Sequence, residues 1–225
     1  MNEAGINLDF DRARRLGFDE SVFCAGKTAG QIAAILARME QRGSTMLLTR
    51  LSPGTLAALP EEARRKLDYE ALSATAYFGS VAEPGQSGRV AVVGAGTSDM
   101  SVCREAVRTL GYHGIKASEI YDVGVAGIWR LMERAPEIVR HPVVIAVAGM
   151  DAALISVLGG LVPGLVIGVP TSVGYGVANR GEAALHAALV SCAPGVPVVN
   201  IDNGYGAACA AIRALRAADK MGRSA

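Results

Sequence analysis

The sequence predicts an α/β protein: a doubly wound parallel sheet over residues 86–225, preceded by a small N-terminal α/β domain and linker over residues 1–85. From Arg89 onward, β-rich runs alternate with helical patterns in five successive units, the order of a parallel sheet joined by crossover helices. Runs such as VVIAVAG lack apolar–polar alternation, as strands covered on both faces do. The 27 glycines gather in the loops that follow these runs.

The chain opens on MNEAGINLDFDRARRLGF, which has no apolar core of a signal peptide. From Thr28, the residues Ile32, Ile35, Leu36 and Met39 recur at helical spacing and predict an amphipathic helix. Short strands are expected at TMLLTRL and ATAYFG, and the polar, turn-forming AEPGQSG reads as a linker near residues 82–88. Beyond it the expected strands are RVAVVG, IKASEIYDVG, VVIAVAG, LVIGVP and VPVVNID. The helices between and after them are DMSVCREAVRTLG, GIWRLMERA, AALISVLGG, GEAALHAALVSC and AACAAIRALRAA. The uncharged run from Ala152 to Pro170 is about as long as a bilayer core requires. Gly159-Gly160 and Pro163-Gly164 cut it into a helix, a turn and a β-branched run, so a buried helix feeding a buried strand is expected.

Lys plus Arg (22) nearly balance Asp plus Glu (21), which leaves no basic field for nucleic acid or anionic lipid and points to a small-molecule partner. The four cysteines are far apart with no C-x-x-C pair, so free thiols in a reducing, cytoplasmic setting are expected. His113, His141 and His186 show no metal-ligand spacing.

Ligands of parallel sheets bind beyond the carboxyl ends of the strands. The loops there are GAGTSD, DVGVAG, AGMDAA, GVPTSVGYG and IDNGYGAA. VVGAGTSDM opens like a dinucleotide fingerprint, with Asp122 near the position of the ribose-binding acid, but Asp99 stands where the third glycine belongs and no hydride-transfer acid or base accompanies it. Ser98 and Asp99 are suited to capping the following helix. The N–H groups of Gly96, Thr97 and Ser98 can receive a phosphate, whereas Asp99 suits ribose hydroxyls, a cation or proton transfer. Gly124, Val125, Ala126, Gly149 and Met150 are further substrate-contact candidates from these loops. Asp122, Thr171, Ser172, Asp202 and Asn203 can contact ribose, diphosphate or Mg2+, although turns favour the same residue types. Cys192, at the end of the helical run GEAALHAALVSC, and Cys209, in NGYGAAC after a strand, compete as reactive thiol, against the ordinary role of a small buried hydrophobe.

GAGTSD resembles the opening loop of the purE-type aminoimidazole ribonucleotide carboxylases, and AGMDAALISVLGGLVPGLVIGVP resembles their later active-site loop, helix and strand. AGKTAGQIAAIL, GTSD, YDVGVAGIWRL, GVPTSVGYG and SCAPGVPVVNIDNGYGAA together resemble one branch, the LarB carboxylase/hydrolases that begin synthesis of the nickel-pincer nucleotide. The resemblance implies a purE-like, flavodoxin-like three-layer C-terminal domain and a homo-oligomer, an octamer. It implies nicotinic acid adenine dinucleotide and CO2 or bicarbonate as substrates, with AMP and pyridinium-biscarboxylic acid mononucleotide as products. Mg2+ is a candidate companion of the diphosphate, and no tightly bound organic cofactor is implied.

The resemblance also assigns roles. An electron-poor pyridinium does not attack CO2 until a nucleophile has added to it, and a thiolate can add and later leave; the cysteine of the S-C-A motif, here Cys192, takes that part. Free thiols are mostly protonated at neutral pH, so this needs a local base or positive field. Asp151 is the candidate base for the ring proton, at a position expected to hold glutamate more often and histidine in the purE-type mutase. Its alternative role is to cap the next helix. Ser98 and Asp99 complete the catalytic candidates. Trp129 departs from the histidine expected in many relatives. The alternatives are a purE-type aminoimidazole mutase and a non-catalytic nucleotide-binding module.

Overall fold

The computed structural model describes residues 6–85 and 87–223, and the chain divides into two compact units, Met1–Glu83 and Pro84–Ala225. The first contains α1 (Arg12–Leu16), β1 (Ser21–Phe23), α2 (Ala29–Gln41), β2 (Met46–Thr49), α3 (Pro53–Ala57), α4 (Glu61–Arg64), β3 (Leu67–Glu70) and β4 (Thr75–Phe78). Thr28 starts α2 through a capping box: its hydroxyl accepts from the Gln31 N–H at 3.2 Å and the Gln31 side chain accepts from the Thr28 N–H at 2.9 Å. Ile32, Ile35, Leu36 and Met39 are buried as their spacing requires, in one cluster with Val22, Met46, Leu48, Ala76 and Phe78. The sheet runs β1-β2-β4-β3, with β1 parallel to β2 and the other pairs antiparallel.

The second unit contains β5 (Val90–Gly94), α5 (Met100–Tyr112), β6 (Ser118–Ile120), α6 (Ile128–Ile138), β7 (Val143–Ala148), α7 (Ala153–Leu161), β8 (Leu165–Pro170), α8 (Glu182–Leu189) and α9 (Gly204–Arg223). Its strands are all parallel in the order β6-β5-β7-β8, the doubly wound order that reverses direction between the first strand and the third. Ala91, Val93, Val144, Ala146 and Ala148 face a core shared with α6, α7 and α8. Val90, Val92, Ile145 and Val147 point the other way, where α5 and α9 pack, and all are buried. The run from Ala152 to Pro170 forms α7, a turn and β8, and no helix among the described residues is long and apolar enough to cross a membrane.

Two expectations are corrected. VPVVNID makes no fifth strand, only a single parallel bridge of Val198 with Gly168. Pro197 has no N–H to donate, and Pro194 and Gly195 interrupt the approach. The helix expected through Cys192 ends at Leu189, and Cys192 lies in the bend that follows it.

Candidate active site

The loops at the strand ends pack edge to edge because glycine leaves room for it. A Cβ on Gly94 would lie 2.8 Å from Cys103 Sγ, one on Gly124 would lie 2.8 Å from Ala95 O, and one on Gly149 would lie 2.4 Å from Val173 O. The β5 loop therefore abuts the β6 loop, and the β7 loop abuts the β8 loop. A hydrogen bond of 2.8 Å from the Met150 N–H to Val173 O joins the latter pair.

Asp99 completes the arrangement in a way its sequence position did not suggest. It is 4% exposed and makes no side-chain cap on α5. Its carboxylate turns inward instead, accepting the Gly96 N–H at 2.9 Å and the Thr171 hydroxyl at 2.6 Å. Burial pushes its carboxyl above the usual aspartate range. Hydrogen bonds from Thr171 and from the backbone of Gly96 and Gly149 oppose that rise, and the charge of Asp202 adds to it. One buried acid thus joins the loops after β5, β7 and β8.

A cleft of about 290 Å³ opens above it. It gathers Gly96, Ser98, Asp99, Asp122, Gly124, Val125, Ala126, Gly149, Met150 and Asp151, with Ala95, Ala148, Leu154 and Val173 as apolar wall. Asp151 is exposed there and accepts the Ala153 N–H at 3.3 Å at the start of α7, so capping and access to the cleft coexist. Met150 and Ala152, on either side of it, hold left-handed backbone with φ of 54° and 50°. Side chains of these types seldom adopt that region, and such strain gathers at functional loops.

Other candidates lie outside the cleft. Thr97 is exposed on the turn before α5, and Thr171 is buried behind Asp99. The Ser172 N–H donates to Asp202 at 2.8 Å, and Asn203 accepts the Gly206 N–H at 2.7 Å, which caps α9. Cys192 is exposed and does not line the cleft. Its neighbours are fixed on α7: the Ser191 hydroxyl lies 2.7 Å from that of Ser156, and a Cβ on Gly159 would lie 2.7 Å from the Cβ of Ala193. Cys209 is half-buried within α9, and Cys24 and Cys103 are buried. Burial pushes the Cys24 thiol up to about 12 and the Cys103 thiol higher still.

Arg130 is a cleft residue that the sequence reading passed over. It sits one turn into α6 and donates to Asp122 at 2.6 Å, while its buried Nε has no hydrogen-bond partner among the described residues. Gly127 makes the space, since a Cβ there would lie 2.8 Å from that Nε. The only sequence signal was an arginine immediately after a strand-end loop. No group of three or more His, Cys, Asp and Glu among the described residues is placed to hold a metal ion. Hollows of about 320 and 350 Å³ in the N-terminal unit are lined by Asp9, Asp19 and Glu20 or by Ile6, Leu8 and Phe23.

Residues 3–80 match the family described as LarB/PurE-like N-terminal domain, and residues 89–225 match the family described as AIR carboxylase. The uncharacterized protein MJ0165 of Methanocaldococcus jannaschii is 36% identical over 215 residues, spanning 91% of this chain and 82% of that protein. Among solved structures, Treponema denticola PurE is 17% identical with a TM-score of 0.44, over 59% of this chain and 91% of that chain. A PurE2 variant of the same organism has the same identity and TM-score over 61% and 93%.

Proposed function

Because the chain belongs to the LarB family, a LarB/PurE-like N-terminal domain joined to an AIR carboxylase domain, we propose that it carboxylates the pyridinium ring of nicotinic acid adenine dinucleotide and hydrolyses the phosphoanhydride. The observation that carries this reading is the charge of the cleft. Asp99, Asp122 and Asp151 surround a small, partly apolar space that also holds one guanidinium. Such a site favours a flat cationic ring carrying an anionic substituent over a neutral ring.

In this reading the Cys192 thiolate adds to a ring carbon, and the pyridinium becomes a neutral dihydropyridine with an enamine carbon at the second meta position. That carbon bonds to CO2, leaving a tetrahedral carbon that still carries its hydrogen. Asp151 removes the proton, and the electron pair expels the thiolate as aromaticity returns. A proton has been exchanged for a carboxylate, and no oxidant is consumed. Water then cleaves the phosphoanhydride and AMP departs. Ser98 offers an amide for phosphate, and Arg130 holds an anionic group of the substrate.

Incubation with nicotinic acid adenine dinucleotide and bicarbonate, with and without Mg2+, should yield AMP and a mononucleotide carrying a second ring carboxylate by mass spectrometry. Turnover of aminoimidazole ribonucleotide instead would assign the purE-type reaction, which the AIR carboxylase match also admits. Consumption of neither would leave a binding module.

Arg130→Met should raise KM by about 10- to 100-fold and change kcat less, the range expected for losing a charge-assisted hydrogen bond to an anion. Steady-state kinetics on the dinucleotide check this. An unchanged KM would remove Arg130 from the substrate's anionic group.

A further inference from the structure

We propose that Asp202 is a positioning residue for the reaction proposed above: its carboxylate takes the place of a backbone carbonyl on the outer edge of β8, and so holds Thr171 where the Thr171 hydroxyl meets Asp99. Its effect on turnover rests on that reading of the reaction; the hydrogen bonds that make the clasp do not.

In a parallel pair, one residue's N–H donates to the carbonyl before its partner, and its carbonyl accepts the N–H after that partner. The chain beyond α8 begins to pair with β8 in this way. Around the bridge to Val198, the Gly168 N–H donates to Pro197 O at 2.9 Å, and Gly168 O accepts the Val199 N–H at 3.0 Å. Asp202 repeats the pattern around Thr171. Its N–H donates to Pro170 O at 2.9 Å, and it accepts the Ser172 N–H at 2.8 Å. The acceptor, however, is the side-chain Oδ1 and not the backbone carbonyl. At a φ of 56° the backbone of Asp202 is left-handed and has left strand geometry. Aspartate and asparagine visit that region more readily than other side chains, and their side-chain oxygen can replace a backbone acceptor. The fifth strand that VPVVNID fails to complete is thus extended by one side chain.

Both ends of this clasp are anchored. Asp202 stands immediately before the start of α9, where Asn203 accepts the Gly206 N–H at 2.7 Å and the Tyr205 N–H donates to the buried Glu105 of α5 at 3.2 Å. A Cβ on Gly204 would lie 2.4 Å from Val102 O, so α9 and α5 approach closely there. At the other end, Thr171 is fully buried, donating its N–H to Ala148 O at 2.9 Å and its hydroxyl to Asp99 at 2.6 Å. Val173, on the far side of Ser172, lines the cleft and accepts the Met150 N–H. Releasing Ser172 therefore loosens the backbone between the hydroxyl that fixes Asp99 and the residue that forms the cleft wall. The Asp202 charge acts on Asp99 as well, helping to hold its carboxyl up, so a test must separate the bond from the charge.

Three variants of the full chain do so. Asp202→Asn keeps an acceptor oxygen and tolerates the left-handed backbone. Asp202→Ala removes the acceptor, and Asp202→Gly removes it without backbone strain. The alanine and glycine variants should each lose about 10-fold in kcat, with KM changed by less than about threefold, and the Ser172 amide should exchange its hydrogen about 10-fold faster. That is the scale of one charge-assisted hydrogen bond in an accessible position. Asparagine should restore both quantities to within about threefold of wild type. In a Thr171→Val background, Asp202→Ala should slow turnover by less than about twofold further, because the route to Asp99 is already cut. An asparagine variant as slow as alanine with Ser172 still protected would overturn the positioning role and make Asp202 a charged contact of the substrate. A loss confined to KM, or undiminished kcat in the alanine and glycine variants, would overturn it too. If the wild-type chain turns over no dinucleotide, the reaction is what fails, and the same cycle read in Tm decides the clasp: losses from Asp202→Ala and Thr171→Val that simply add would refute the coupling.

Discussion

Cys192→Ser is expected to abolish ring carboxylation, lowering it by at least about 10³-fold, while the dinucleotide still binds. A serine hydroxyl is a far weaker nucleophile than a thiolate at neutral pH, and removing a covalent nucleophile costs more than removing a helper. Binding survives because Cys192 is not among the residues that line the cleft and its side chain is exposed, so the substitution leaves no cavity. Cys209→Ser should remain active. In wild-type protein held with the dinucleotide, intact-mass and peptide analysis should find a reversible ring adduct on the peptide containing Cys192. An adduct on Cys209, or undiminished carboxylation by the serine variant, would remove the central step.

Asp99→Asn is expected to lower turnover by about 10²- to 10³-fold and to loosen the loops around it. The carboxylate accepts from Thr171 and Gly96, and an amide can accept through one side only. Its NH2 would face a donor in a buried site, at a cost of about 1 to 3 kcal/mol. The pH dependence separates this from a simple loss of fold. Because the folded protein holds the Asp99 carboxyl above its ordinary value of 3.8, its contribution to stability is complete below that pH. It is lost as pH rises through the raised value, when a buried acid must ionise. The asparagine variant lacks this dependence. The difference in Tm, wild type minus variant, should therefore decline as pH rises across that window, and a difference that grows with pH would contradict the environment assigned to Asp99.

Much of this architecture was legible in the sequence where the physical signal was long or doubly determined. The α2 stripe and its Thr28 cap agree, and the uninterrupted apolar runs of β5, β7 and β8 allow little other than parallel strands covered on both faces. β1 and β3 were not anticipated, because three or four residues such as SVF and LDYE carry too short a period to stand out. The cleft followed from the rule that strand-end loops meet, which gathered residues from three separate loops without any knowledge of distance. That rule says which end of a strand a loop occupies, but it does not say which way a side chain turns. Asp99 therefore read as a helix cap and a catalytic candidate, and its buried partner Thr171, 72 positions away, was not foreseen. Arg130 was missed for the opposite reason: its role depends on the space Gly127 leaves, and nothing in an isolated WRL marks it.

The inward turn of Asp99 also governs what it costs a ligand to bind. Loops that must be ordered on arrival charge their entropy against affinity, and mobile strand-end loops commonly do so. Here the floor made by the β5, β7 and β8 loops is already fastened through one carboxylate and through Met150 and Val173. A ligand entering the cleft would meet groups whose positions are set in advance, so more of its contact energy would be left to distinguish it from its competitors.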